Sequence, residues 1–143
     1  MTVARLIEGR SAEAIVACEA AMSVGDAVKL LAEKRIGALP VVSSGRIAGI
    51  FSQRDAVYRL AAHGPAMLDK AVSEVMTSPA ITVGPDTEVL GALALMTRRR
   101  IRHLPVVDGE AIVGFVSIGD LVKYRIERIE SEAEAMRSYI QSA

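Results

Sequence analysis

One sequence is written twice in this chain, at a constant offset of 65 residues. Gly37-Ala38-Leu39-Pro40-Val41-Val42 leads to Gly49-Ile50-Phe51-Ser52-Gln53-Arg54-Asp55, and Arg102-His103-Leu104-Pro105-Val106-Val107 leads to Gly114-Phe115-Val116-Ser117-Ile118-Gly119-Asp120. Val24, Ala27, Leu30, Arg35, Ile36, Ile47 and Val57 recur unchanged at the same offset. A period this long is one supersecondary unit duplicated once, not a solenoid turn. Each copy offers only three short strands, so its sheet needs a covering partner. Two copies packed about a pseudo-twofold axis supply that cover and create two equivalent clefts.

Within each copy the pattern reads β-α-β-β-α, giving an α+β fold. A short helix through Val3, Leu6 and Ile7, capped by Thr2 and closed by Gly9, precedes a strand over 14–18. Val24, Ala27, Val28 and Leu31 follow helical spacing, and Gly37 marks the end of that helix. Leu39–Ser43 and Arg46–Phe51 are apolar, β-branched runs parted by Ser44-Gly45, which predicts a hairpin. A helix from Ser52 through Val57, Leu60 and Ala61 stops at His63-Gly64-Pro65. The expected division is a first repeat over 1–64, a linker over 65–79 with a short helix at 70–76, a second repeat over 80–125, and an extension over 126–143. The second repeat opens with a strand over 80–83. Its last helix meets no breaker from Ile118 to about Ser142, roughly 35 Å at 1.5 Å per residue. Val122, Ile126, Ile129, Ala133, Met136 and Ile140 form a heptad-like seam on it, with Lys123/Glu127 and Arg128/Glu132 as flanking pairs. Its outer half is expected to contact another copy; packing back on its own domain is the alternative.

Lys plus Arg equals Asp plus Glu, 17 each, so the broad basic excess of a nucleic-acid or membrane-surface binder is absent. No apolar run approaches the ~20 residues that span a bilayer, and the first residues do not read as a signal peptide. Cys18 is the only cysteine, so neither a disulfide framework nor an all-cysteine metal site is expected. A cytoplasmic protein is the expectation, with a core of Val, Ile, Leu, Ala and Met.

The chemistry centres on Ser52-Gln53-Arg54-Asp55 and Ser117-Ile118-Gly119-Asp120. Ser-x-x-acid at a strand-to-helix junction is first of all a capping box. It can also hold a sugar phosphate: the serine and the free helix N–H groups take the phosphate, and the carboxylate takes the pentose hydroxyls. The duplication, and the glycine that precedes each motif in its strand, favour the second role. Arg98-Arg99-Arg100-Ile101-Arg102-His103 compensates a helix C-terminus. Arg102 and His103, next to the Leu-Pro strand, are also expected to face the seam. Gly37 and Ala38 stand there in the first copy, so the two clefts should differ in charge. A hydrolase triad of Ser117, His103 and Asp120 is disfavoured, because serine and aspartate three apart are engaged in capping. Two histidines and one cysteine make no recognisable metal set.

The doubled Leu-Pro-Val-Val…Gly-x-x-Ser-x-x-Asp pattern resembles a tandem pair of cystathionine-β-synthase (CBS) domains, the Bateman module, of the small stand-alone bacterial type. The resemblance implies sheets packed into a disc, association of two such pairs, and clefts for AMP, ADP, ATP, NAD(H) or S-adenosylmethionine. It implies that Asp55 and Asp120 hold ribose and that Ser52 and Ser117 contact phosphate. Arg54 would help in the first copy, and Arg100, Arg102 and His103 near the second. Ala17, Cys18, Thr82 and Val83, with Ala38, Pro40 and Pro105, would line the adenine. Gly119 stands where the first copy has Arg54, so phosphate contacts there must come from elsewhere. The functional expectation is a non-enzymatic regulatory module that senses energy or redox state as a homodimer or higher oligomer and signals to a protein target. The competing reading is a ligand-free interaction scaffold.

Overall fold

The structure, a computed structural model, describes residues 1–142; Ala143, the end of the expected extension, lies outside the described residues. The elements run α1 (Val3–Ile7), β1 (Cys18–Glu19), α2 (Val24–Lys34), β2 (Ala38–Ser43), β3 (Arg46–Ser52), α3 (Gln53–His63), α4 (Val72–Val75), α5 (Val89–Arg99), β4 (His103–Asp108), β5 (Ala111–Ser117) and α6 (Ile118–Ser142). Short 3-10 turns occupy Ala12–Ala14 and Pro65–Asp69. Strand order is β1-β2-β3 in one sheet and β4-β5 in the other. Both hairpins are antiparallel, and both carry a bulge at the same repeat position, after Val41 and after Val106. The first hairpin turns through Ser44 and Gly45, both at positive φ, as a tight two-residue turn demands.

The expected opening strands are much shorter than the apolar runs suggested. Over 14–18 only Cys18 enters the ladder, and in place of 80–83 there is a single parallel bridge from Val83 to Val106. The Leu-Pro dipeptide is the cause. Val83 N–H donates to Pro105 O at 3.0 Å and Val83 O accepts Val107 N–H at 2.8 Å, so odd positions of β4 face this edge. The next bond toward Ile81 would need an N–H from Pro105, which proline lacks. Pro40 ends the parallel ladder of the first sheet in the same way. Residues upstream of Cys18 and Val83 are thereby released from the sheet.

The expected boundaries also differ from the packing. Val3, placed by sequence in the first repeat, is fully buried in the second core with Leu104, Val116 and Leu121. Met67, Val72 and Val75, assigned to the linker, are buried in the first core with Leu39, Phe51 and Leu31. Each core thus takes a short helix from the segment preceding the other repeat's opening strand. Thr2 sits at the N-cap of α1 without a side-chain cap bond. The helix α2 ends at Arg35, not Gly37: Arg35 adopts φ 53°, with Ile36 N–H reaching back to Leu31 O at 3.1 Å. Arg100 ends α5 identically at φ 54°. Glycine is the usual residue in this conformation, and a side chain there costs on the order of 1 kcal/mol.

The glycines expected to leave room for a ligand both serve packing. A Cβ on Gly49 would lie 2.6 Å from Thr77 O, and one on Gly114 2.8 Å from Ile7 Cγ2. Helix α6 is continuous over its expected length, with Arg128 and Glu132 paired at 3.2 Å. Its seam residues Val122, Ile126, Ile129, Met136 and Ile140 are exposed, as are Val57, Tyr58 and Leu60 of α3. Packing of that seam back onto its own domain is therefore not what the chain does. No helix among the described residues is long and apolar enough to cross a membrane.

Candidate functional site

The two Ser-x-x-Asp corners close as reciprocal caps. Asp55 Oδ2 accepts Ser52 N–H at 2.9 Å and the Ser52 hydroxyl at 3.1 Å, while Asp55 N–H donates to Ser52 Oγ at 3.2 Å. Asp120 Oδ2 accepts Ser117 N–H at 2.9 Å, and Asp120 N–H donates to Ser117 Oγ at 3.1 Å. Each cap consumes Oδ2 and leaves Oδ1 toward a cleft. Asp55 Oδ1 accepts the Thr77 hydroxyl at 3.1 Å, and Asp120 Oδ1 lies 3.6 Å from an Arg10 guanidinium nitrogen. A carboxylate oxygen has two lone pairs, so both retain capacity for a further donor.

The clefts lie where the repeats meet. One, of about 320 Å³, holds Ser52, Arg54 and Asp55 opposite Arg100, Arg102 and His103, with Pro79, Ala80, Ile81 and Ile101 as its apolar wall. The other, of about 700 Å³, holds Ser117 and Asp120 opposite Arg35, Gly37 and Ala38, with Ile15, Val16 and Ile36 as apolar wall and Arg10 and Ser11 at its edge. Both volumes fall in the range of small-molecule sites. Ala38 and His103 border both. Each cleft therefore joins the helix start of one repeat to the pre-strand segment of the other.

This crossing corrects one expectation. Arg100 and Arg102, anticipated beside Ser117, lie with Ser52 and Asp55, so the cation-rich cleft is that of the first repeat. Sequence proximity misled here: Arg102 O does accept Ile118 N–H at 2.8 Å at the start of α6, but its side chain lines the opposite cleft. Arg54 spans the same cleft and donates to Arg100 O at 3.2 Å. Among the described residues, Ala17, Cys18, Thr82, Val83, Pro40 and Pro105 line neither cleft. Cys18 and Val83 are core residues, Pro40 and Pro105 are buried, and Thr82 points to solvent. Their places are taken by Ile15, Val16, Ala80 and Ile81, the residues that the prolines free from the ladder. Arg10, Thr77 and Arg35 were also missed. Arg35 was detectable as the repeat partner of Arg100, whereas Arg10 and Thr77 lie outside the repeated pattern.

The electrostatics follow from burial. The His103 ring stacks on Phe115 with centroids 5.6 Å apart, and its Cε1 would lie 3.3 Å from a Cβ on Gly37, so glycine there admits the imidazole. Burial holds the His103 pKa below its ordinary value; Asp120 opposes that shift and Arg102 reinforces it. Burial, with Glu19 adding to it, pushes the Cys18 thiol up to about 11, so it is neither a nucleophile nor a thiolate ligand at neutral pH. Among the described residues no group of histidine, cysteine and acidic side chains is arranged to hold a metal. What the clefts can do chemically is bind an anion against arginines and polyol hydroxyls against a carboxylate, over an apolar wall that suits a flat ring.

Comparison with known proteins agrees with the architecture. The CBS-domain family model matches residues 11–62 and 72–127. The mitochondrial CBS domain-containing protein CBSX3 of Arabidopsis thaliana is 38% identical over 129 residues, covering 87% of this chain but 63% of its own length. The chain thus spans less than two thirds of that relative. A protein with CBS domains from Burkholderia ambifaria has a structure of TM-score 0.82 at 40% identity, over 89% of this chain and 95% of that one. The CBS domain pair of MJ0100, in complex with 5′-methylthioadenosine and S-adenosylmethionine, aligns with TM-score 0.77 at 25% identity over 90% of this chain and 98% of that one. CBSX2 in complex with AMP aligns with TM-score 0.70 at 26% identity over 82% and 91%. With both repeats matched and the fold shared, the chain belongs to the CBS-domain family, as a tandem pair.

Proposed function

We infer that this chain is a regulatory module that binds adenosine-containing ligands in its two inter-repeat clefts and acts through binding, without turnover. The observation that carries the reading is the doubled corner: a serine-capped helix start with a carboxylate oxygen turned to the cleft, faced across the seam by an arginine held at positive φ (Arg100 or Arg35). A conformation disfavoured for arginine, kept twice and both times at a cleft, is the kind of strain that function explains. The AMP of CBSX2 and the sulfur nucleosides of the MJ0100 pair fit the same chemistry.

A ligand in the first cleft would touch Ser52, Arg54 and Asp55 of one repeat and Arg100 and Arg102 of the other. It would favour whichever arrangement of the repeats best satisfies both, the basis of an energy- or redox-state sensor. The exposed apolar seams of α3 and α6 suit a homodimer, through which that arrangement passes to a protein target in the cytoplasm. Calorimetric titration with AMP, ATP, NAD(H) and S-adenosylmethionine tests the reading. The expected result is micromolar binding of at least one, about −8 kcal/mol, weakened tenfold or more by Asp55→Asn or Asp120→Asn. No heat from any of the four would refute it. The exposed α6 seam favours one second reading, a ligand-free scaffold. Shortening α6 would then abolish assembly while nucleotides leave thermal stability unmoved.

A further inference from the structure

We propose that Arg10 sets what the Asp120 cleft admits: it supplies the positive charge that the second repeat lacks, so that this cleft selects adenosine ligands bearing a phosphate over uncharged or cationic ones. The inference rests on the reading of the clefts as adenosine sites and adds a specificity determinant to it. The first repeat has Arg54 two residues past its capping serine, where the second has Gly119. Arg10 arrives from outside both repeats. Gly9 at φ 81° turns the chain out of α1, and Arg10 N–H donates to Ile7 O at 3.0 Å. Ile7 is seated over Gly114, where a Cβ would come within 2.8 Å of it, and this anchors the segment on β5 near Ser117.

The two clefts are built alike on this point and differ in charge. In each, a segment preceding a repeat reaches the Oδ1 atom that the cap leaves free. In the first cleft it is the neutral Thr77 hydroxyl at 3.1 Å; in the second it is the Arg10 guanidinium at 3.6 Å. That separation is beyond hydrogen-bond range, and the side chains are 49% and 33% exposed, so Arg10 is drawn to Asp120 without being locked to it. A guanidinium fork so placed can swing onto a phosphate and bind it through two N–H groups. It also offsets the repulsion that Asp120 would exert on an incoming anion, and it repels a sulfonium.

Calorimetry on the full chain, with AMP, adenosine and S-adenosylmethionine as probes, tests this on wild type, Arg10→Ala, Arg10→Lys and Arg54→Ala. Removing one exposed charge-assisted contact predicts that Arg10→Ala weakens AMP about tenfold at one site. Adenosine should stay within about twofold, and the preference for AMP over S-adenosylmethionine at that site should shrink; Arg10→Lys should keep most of it. Arg54→Ala should act on the other site. Equal losses of AMP and adenosine in Arg10→Ala would assign the residue a structural role and overturn the proposal, as would unchanged AMP affinity. A wild-type chain that binds none of the three probes would overturn the adenosine reading and this inference together; binding with unaltered selectivity in Arg10→Ala overturns this inference alone.

Discussion

Substituting alanine at the two bulge-side glycines should give unequal results, although the glycines are repeat partners. At Gly49 the new methyl would sit 2.6 Å from Thr77 O and 2.7 Å from Met76 Sδ. Sulfur can move, but the carbonyl is backbone and is already engaged, accepting Ile50 N–H at 3.0 Å while Thr77 N–H donates to Ile50 O at 2.9 Å. Relieving the clash therefore displaces the linker and stretches this pair of bonds. Overpacking of about 1–3 kcal/mol plus a weakened hydrogen bond of about 1 kcal/mol, less roughly 0.5 kcal/mol for a stiffer unfolded chain, leaves a net loss of about 2–3 kcal/mol. At Gly114 the neighbours are Ile7 Cγ2 at 2.8 Å and Cδ1 at 3.0 Å, side-chain methyls of the last residue of the short helix α1, so relief needs a small shift of that helix end but breaks no backbone hydrogen bond to β5. The net cost there should be about 1 kcal/mol or less. Urea denaturation reads the contrast directly: with m of about 2 kcal/mol/M, Gly49→Ala should lower the midpoint by about 1 M and Gly114→Ala by under half of that. Because Thr77 also donates to Asp55, Gly49→Ala should weaken ligand binding in the first cleft as well. Equal midpoints for the two variants, or a larger loss at Gly114, would refute the distinction between a backbone and a side-chain neighbour.

Three further outcomes follow from single residues. Because burial holds the His103 pKa below 6.5, its stability contribution is constant above that pH. It is lost as pH falls below 6.5, where the unfolded chain takes up the proton first, until the folded-state group is protonated in turn. The urea midpoint of wild type should therefore fall as pH drops below 6.5 more steeply than that of His103→Phe, which keeps the stack on Phe115 and removes the titration; parallel profiles would exclude His103 as the cause. Arg100→Gly should raise stability by roughly 0.5–1 kcal/mol by relieving the positive φ, while lowering affinity in the first cleft; thermal melting and calorimetry together separate the two effects, and a destabilised variant would mean the arginine is held by more than its caps. The Tyr124 hydroxyl is buried without a hydrogen-bond partner among the described residues. Tyr124→Phe should gain about 1 kcal/mol, seen as a rise of about 2–4 °C in melting temperature, and a fall would mean that a bound water satisfies it.

What could be read from the sequence was whatever depends on one repeat at a time. The hairpins, both capping corners, the helix spacing of Val24, Ala27 and Leu31, and the length of α6 are local, and each is fixed by residues within a few positions. The opening strand of each repeat is shorter than its apolar run predicts because the partner strand cannot supply the hydrogen bonds: Pro40 and Pro105 withhold the N–H that would extend the ladder. That signal was in the repeat itself, in the very dipeptide that identifies it. Once the ladder is cut there, Ile15, Val16, Ala80 and Ile81 become free for the clefts, and the candidate apolar wall shifts by one or two residues from where it was sought.

The crossing of the clefts is a different kind of miss. Gly49 and Gly114 are expected to leave room for a ligand, yet Thr77 and Ile7 pack against them, as His103 packs against Gly37. In all three cases the occupant comes from another part of the chain, and for Gly37 it comes from the other repeat. Pairing across a pseudo-twofold axis is set by which surfaces the two units bury against each other, and no spacing within a unit encodes it. The same relation explains why the clefts are unlike despite the duplication. Of the positions where the two copies differ, the pre-strand pair Gly37/Arg102 places Arg102 in the opposite cleft, the pair Ala38/His103 borders both clefts, and the helix-start residue Arg54, replaced by Gly119 in the second copy, stays in its own. Arg54, Arg100 and Arg102 therefore converge on one cleft, and the other must draw its positive charge from Arg35 and from Arg10, a residue outside the repeated pattern.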